Sequence, residues 1–319
     1  MAKKSASKPR RAASANPAGT KIPEGLRLTN PQRVLYPDLG ITKLDLANYY
    51  AQIANWILPH IAGRPLSLVR CPDGVAGQCF FQKHPPAGLS ASVERIKVVE
   101  KSETNEYLVV HDLEGIISVV QFGALELHLW GVPANDIEHP DRMIFDLDPD
   151  PAVPWQEVVD TAFLMRDFLA ELELTSFVKT TGGKGLHVVV PLAPKHTWDE
   201  MKSFSKAIAD TIVSAAPNRY IATMSKAARK NKIFIDYLRN QRGATAIAAY
   251  STRARAAATV SMPLSWPHLK KLKSPADFTV QSVPKHLASQ RSDPWVDLPK
   301  TRQAIKGAAK RRLLQRQKS

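Results

Sequence analysis

The octapeptide Met143-Ile144-Phe145-Asp146-Leu147-Asp148-Pro149-Asp150 constrains the fold of this chain more than any other stretch. Apolar residues lead into it, which predicts a buried strand over residues 143–148 that Pro149 ends. Side chains two apart on a strand share a face, so Asp146 and Asp148 stand side by side, roughly 6–7 Å apart. Two such carboxylates repel each other unless a cation lies between them. The fold must therefore let a core strand open onto a charged site.

The surrounding pattern supplies a scaffold for that strand. Further strands are expected at residues 26–28, 66–70, 78–82, 125–130, 177–180, 187–192, 232–236 and 246–250. Helices are expected from a Thr42 cap through Ile57, and over residues 113–121, 155–172 and 198–215. Several strand pairs join through turns, such as Pro72-Asp73-Gly74, rather than through helices. That pattern favours an α/β (α+β) domain with mixed β-sheets and flanking helices over a purely parallel sheet.

Composition matters here mainly for where the charge lies. Of the net +15, residues 1–21 carry six Lys/Arg and residues 300–319 carry eight, with no acid in either segment, which leaves about +1 for everything between. These ends read as a disordered basic tail (1–22) and a basic C-terminal tail (300–319), serving as solvated linkers or as polyanion contacts. No apolar run approaches the roughly 20 residues of a membrane span, and no secretory leader is evident, so a cytoplasmic protein is expected. Cys71 and Cys79, the two cysteines, are then expected to be reduced, and no Cys/His set has zinc-ligand spacing. Between the tails, residues 135–151 hold six acids against Arg142, while residues 226–255 hold eight bases against Asp236. An acidic centre facing a basic stretch suits a metal-dependent enzyme that acts on phosphates.

Oxygen donors such as Asp146 and Asp148 suit Mg²⁺ or Mn²⁺. An Asp-x-Asp after an apolar strand also occurs in haloacid-dehalogenase-like phosphatases, which carry it near the N-terminus and with Thr or Val where Pro149 stands. Metal-dependent glycosyltransferases share the motif but offer no account of the segment Lys179-Thr180-Thr181-Gly182-Gly183-Lys184-Gly185-Leu186-His187. Its paired glycines allow N–H groups to converge on an anion, Lys184 adds a charge and Thr181 a hydroxyl, without the spacing of a Walker A loop. Glu126 and His128 share one face of an alternating strand, and Asp236 closes the apolar run Ile233-Phe234-Ile235. Arg239, Arg253 and Arg255 are candidates for a phosphate clamp. In Phe80-Phe81-Gln82-Lys83-His84 one ring is expected to face the core and the other to stack on a base. Each of these features alone has an ordinary structural reading: an acidic turn, a lysine on a tight turn, a core histidine, an ion-paired aspartate, a core phenylalanine.

Together they occur in an order that resembles the polymerase domain of bacterial DNA ligase D, in the archaeo-eukaryotic primase superfamily. The motifs are FFQKH at 80–84, the strand histidine at 128, DLDP at 146–149, TGGKGLH at 181–187, the strand ending at Asp236, and YSTRAR at 250–255. The resemblance runs from about residue 26 to about residue 299 and implies a primase-polymerase-like catalytic domain over 23–299. It implies that Asp146, Asp148 and Asp236 hold two Mn²⁺ or Mg²⁺ ions and that His128 lies at the reacting nucleotide. It further implies that Phe80, Phe81, Thr181, Gly182, Gly183, Lys184, His187, Arg239 and Arg253 bind a nucleoside triphosphate. Lys83, Arg229 and Arg255 would be further basic positions, and Arg33 and Lys43 would bind the 5′-phosphate of a DNA gap. The implied activity is template-dependent primer extension at gaps and double-strand breaks in bacterial non-homologous end joining, with ribonucleotides preferred. Ku and a ligase or phosphoesterase module would be partners of a nucleoid-associated monomer. A primase that starts chains de novo, or a non-catalytic end-binding module, are the alternatives. The sequence departs from the family in having Thr181 where Ser is usual and Arg33 where some relatives have Lys, and it contains no ligase K-x-D-G motif.

Overall fold

The computed structural model describes residue 22, residues 28–100 and residues 103–316. Two short strands, β1 (Val34–Tyr36) and β2 (Ile41–Thr42), lead into α1 (Lys43–Gln52) and α2 (Ala54–Ile61). Thr42 caps α1 as expected: its hydroxyl accepts the Asp45 N–H while the Asp45 carboxylate accepts the Thr42 N–H, which satisfies two otherwise orphaned donors. The one helix expected through Ile57 is two, because the backbone at Ile53 (φ −105°, ψ 12°) leaves the helical region. Then follow β3 (Pro65–Arg70), β4 (Phe80–Gln82), β5 (Glu94–Glu100), β6 (Glu103–Val109), α3 (Leu113–Gln121) and β7 (Ala124–Trp130). The second half comprises β8 (Arg142–Pro149), α4 (Trp155–Glu171), β9 (Phe177–Thr180), β10 (Leu186–Pro191), α5 (Trp198–Ala215), β11 (Tyr220–Ile221) and β12 (Ile233–Asp236). It ends with β13 (Thr245–Ile247), β14 (Pro263–Leu264), α6 (Trp266–Lys271), α7 (Val283–Ala288) and α8 (Gly307–Arg316).

Two six-membered groups of strands form the body. The first sheet runs β11-β12-β8-β10-β9-β14, and the second runs β13-β7-β3-β6-β5 with β4 added onto β3. Among the described residues only β11 and β12 pair in parallel, so the architecture is the mixed α/β one expected. Helices α4 and α5 pack on the first sheet and α3 on the second. Met143, Phe145 and Leu147, the apolar side of β8, have no exposed surface. Truncating a ring so placed, as in Phe145→Ala, would cost on the order of 3–5 kcal/mol. Asp146 and Asp148 occupy the other side, towards the second sheet.

Several expectations need correction. Cys71 and Cys79 are joined in a disulfide, since the Pro72-Asp73-Gly74 turn returns β4 beside the end of β3. Phe80 and Phe81 are both exposed, at 41% and 47%: β4 is a short strand at the sheet's margin with no layer over it to bury either ring. The β5–β6 hairpin had no apolar signature, because its first strand, Glu-Arg-Ile-Lys-Val-Val-Glu, is mostly exposed. Of the strand expected at 26–28, Leu26 and Arg27 lie outside the described residues, as do residues 1–21, and Leu28 is irregular. The basic segment from 300 onward contributes more than charge, because α8 buries Ala309 and Leu313 and packs on α5. Among the described residues no helix is long and apolar enough to cross a membrane.

One side chain holds β8 where its neighbour stops. β12 covers β8 only from Asp146 to Pro149. Beyond it, the wholly buried Asn240 takes over: its Oδ1 accepts the Ile144 N–H at 2.7 Å and its Nδ2 donates to Ile144 O at 2.8 Å. The amide thus replaces one missing residue of a strand. Asn240→Ala would leave both backbone groups buried and unpaired, and is expected to lower stability by about 2–4 kcal/mol. Urea unfolding of the two proteins checks this; an unchanged midpoint would remove the anchoring role.

Candidate active site

The register of the first sheet assembles the site. Asp236 on β12 is the cross-strand partner of Asp146 on β8, which is the partner of His187 on β10, which is the partner of Lys179 on β9. Directly paired residues project to the same face, so four chemically active side chains form one row, and Asp148 stands two residues beyond Asp146. Three sequence segments that carry the candidate chemistry thus meet because their strands are neighbours.

Cations hold these carboxylates. One nitrogen of Arg239, Nη2, lies 3.3 Å from Asp146 Oδ2 and 3.1 Å from Asp236 Oδ2, while Arg229 Nη1 lies 3.4 Å from Asp148 Oδ2. His187 Nε2 is 3.4 Å from Asp146 Oδ1. Burial opposes ionisation of Asp146, but His187, protonated in the acid range where this carboxyl titrates, outweighs it together with Arg239 and Lys179 and holds the carboxyl well below its usual range. Burial raises Asp148, and the neighbouring Asp146 charge adds to this against Arg229 and Lys184. Burial also raises Asp236, with Arg239 opposing. His187 is lowered to about 4 by burial, with Lys179 adding to the effect, so its ring is neutral at neutral pH. Arg229 also stacks on the Phe234 ring at 3.8 Å, which fixes the direction of its fork.

The turn at 181–185 is shaped by steric demand. Gly182 has φ +66°, and a Cβ there would come within 2.7 Å of the Arg253 side chain; one at Gly185 would lie 2.3 Å from Leu147 O. Any larger residue would push the turn off β8. The Thr181 hydroxyl donates to Gly185 O at 3.1 Å and accepts the Gly183 N–H at 3.2 Å. It therefore staples the turn rather than pointing a free donor outward. Lys184 is exposed at the tip.

Ten of the eighteen residues picked out in the sequence line one cavity of about 290 Å³ between the sheets: His128, Asp146, Asp148, Thr181, Gly183, Lys184, His187, Arg239, Arg253 and Arg255. Asp236 adjoins it through Arg239, and Arg229 through Asp148. Gly182 lies under Arg253. Phe81 meets the His128 ring edge-on at 5.5 Å, whereas Phe80 lies under Arg70 at 5.4 Å. Lys83 is exposed outside this lining, and its charge acts on Glu100. Arg33 and Lys43 lie apart from the cavity. Arg33 donates to Pro72 O at 2.7 Å, and the buried Lys43 donates to Thr29 O at 3.0 Å and Gln121 O at 3.2 Å, so carbonyl oxygens already surround its ammonium. Burial, with Arg33 adding, lowers the Lys43 pKa.

Two residues of the site were given no role from the sequence. Lys179 is buried and donates to Ser261 Oγ at 2.6 Å. Glu126 is buried beside His128; burial would raise its pKa, but the His128 hydrogen bond and the Arg253 charge bring it down to about 2. Charge inside an otherwise apolar strand was the available signal for both.

Among the described residues no three His, Cys, Asp or Glu side chains form a ready metal cage. The donor chemistry nevertheless fits hard divalent ions. The facing donors are carboxylate oxygens, one guanidinium nitrogen already bridges two of them, and the raised pKa of Asp148 and Asp236 marks a demand for further positive charge. A carboxyl whose pKa is raised on folding binds more protons in the folded state, so stability falls as pH climbs from the ordinary carboxylate value through the raised one. Asp148→Asn is therefore expected to raise the melting temperature in chelator by about 1–3 °C near pH 7 and to have no effect near pH 3. Melts at both pH values test this, and a lower melting temperature near pH 7 would contradict it.

Comparison with known proteins gives the family. The family described as LigD, primase-polymerase domain, matches residues 42–295. The chain is 39% identical over 290 residues to the multifunctional non-homologous end joining protein LigD of Pseudomonas aeruginosa, across 91% of this chain and 34% of that protein. It is 28% identical over 268 residues to the bifunctional non-homologous end joining protein LigD of Bacillus subtilis, across 83% and 43%. Among solved structures, the polymerase domain from Mycobacterium tuberculosis ligase D in complex with DNA superposes with a TM-score of 0.79 at 32% identity, covering 86% of this chain and 98% of that one. The chain thus spans a third to two fifths of the length of these two curated relatives.

Proposed function

This chain belongs to the LigD primase-polymerase family, and on that premise we propose that it is a template-dependent nucleotidyltransferase that extends primers at DNA gaps and breaks during end joining. The observation that carries the reading is the cross-strand row of Asp236, Asp146 and His187 with Asp148 beside it, of which Asp146, Asp148 and His187 line a cavity that also presents Lys184, Arg239, Arg253 and Arg255. Asp146, Asp148 and Asp236 would hold two Mg²⁺ or Mn²⁺ ions, which supply charge that favours deprotonation of a primer 3′-hydroxyl and neutralises departing pyrophosphate. Lys184, Arg253 and Arg255, along the cavity wall, would bind the triphosphate. Arg239 would pass from carboxylates to phosphate as cations enter, since its single bridging nitrogen occupies a position that a divalent ion would compete for. His187, neutral and wedged against Asp146, would orient that carboxylate without adding charge. Phe81, edge-on to His128 and exposed, offers a base an aromatic face. DNA as partner follows from the family, and Ku and a ligase module remain part of the proposal.

Asp146→Ala and Asp148→Ala are expected to reduce primer extension with Mn²⁺ by about 10³-fold or more while leaving DNA affinity within about twofold. Full extension by either variant would refute the site, and product from an unprimed template would favour the primase reading. Arg33 and Lys43 carry the proposed 5′-phosphate contact. Arg33→Ala with Lys43→Met is expected to erase the preference for a 5′-phosphorylated gap, a loss of about tenfold in relative affinity. Gel-shift titrations with and without the phosphate decide this, and an intact preference would exclude the role.

A further inference from the structure

Glu126 belongs to the second sheet, and its carboxylate gathers three donors, one from its own strand and two from residues 253–254. Oε2 accepts from His128 Nε2 at 2.8 Å. Oε1 accepts from Arg253 Nε at 2.9 Å and from the Ala254 N–H at 2.9 Å. Arg253 then continues across the cavity and donates from Nη1 to Thr181 O at 2.5 Å, on the turn that leaves the first sheet. The Glu126 side chain is only 7% exposed. A charge that deeply buried is costly unless it is paired and hydrogen-bonded, and here three donors meet that demand. Because a carboxylate only accepts, the proton on the His128 ring must sit on Nε2. Nδ1, which has no partner among the described residues, is left with its lone pair.

We propose that Glu126 is a positioning residue of the nucleotide site, fixing both the tautomer of His128 and the grip of Arg253 on the 181–185 turn. It touches neither the carboxylate row nor the tip lysine, and acts through the two side chains that it holds. One carboxylate of the second sheet is thereby linked, through Arg253, to the turn that leaves the first. This inference rests on the reading that the cavity receives a nucleoside triphosphate.

The test compares wild type with Glu126→Gln, which keeps the shape but removes the charge. Histidine ¹⁵N shifts, with His128 assigned from a His128→Gln sample, are expected to show an Nε2-protonated ring in wild type and a mixed tautomer in E126Q. In primer extension, the nucleotide KM of E126Q is expected to rise about tenfold with kcat within about twofold and DNA affinity unchanged. Either readout unchanged in a folded E126Q protein overturns the proposal. If E126Q does not fold, Glu126→Asp, which keeps the charge and shortens its reach, is measured in the same way; failure of both to fold makes Glu126 a purely structural ion and also overturns it. The tautomer measurement needs no catalysis, so it separates this inference from the polymerase reading. Loss of the latter through an active Asp146→Ala protein would leave the His128 result standing.

Discussion

The repulsion among Asp146, Asp148 and Asp236 is the constraint from which the rest of the molecule follows. Two of them are paired across adjacent strands, and the third stands two residues along. Nothing apolar can relieve such crowding, so the fold surrounds it with cations drawn from distant segments. Arg239 bridges two of the acids and Arg229 stacks on Phe234 to reach the third, while burial two strands away disfavours the charged form of Lys179. Arg229, Arg239 and Arg242 of the basic stretch thus meet acids of the stretch around Asp146, while Arg253 pairs with Glu126 instead.

This balance also separates shape from charge. The backs of the strands are ordinary core, with Met143, Phe145 and Leu147 sealed off from solvent. Their fronts are held open by electrostatics. The raised carboxyls Asp148 and Asp236 are stabilised less than Asp146 is, so the protein carries a local instability at the place where divalent ions would relieve it. That is the usual relation between a functional site and the fold supporting it.

Much of this was legible in the residues. Strand period placed Asp146 and Asp148 on one face, and the Thr42 cap and the α3 and α5 boundaries followed from local chemistry. What stayed hidden depends on pairing between strands. No local pattern says that β12 and β10 flank β8, and so none could place Asp236 and His187 on either side of Asp146. Glu126 and Lys179 were visible as charges inside apolar strands, but Arg253 and Ser261, which tie them to other parts of the fold, are more than 80 residues away in sequence. The Phe80–Phe81 expectation erred because alternation assumes a covered face, and β4 has none. Whether two cysteines bond depends on how the turn between them closes, which the expected compartment does not settle.

Asn240 does more than complete a strand. With an amide standing in for backbone, β12 ends at Asp236 without baring the next polar groups of β8, and the chain is free to double back at once. Had the strand continued, residue 239 would lie roughly 10 Å further along the sheet. Instead its guanidinium returns over the carboxylate that closed the strand three residues earlier. A shortened ladder, patched by one side chain, is thus what brings a guanidinium, held to Thr245 O at 3.2 Å, back over the acids that the sheet crowds together.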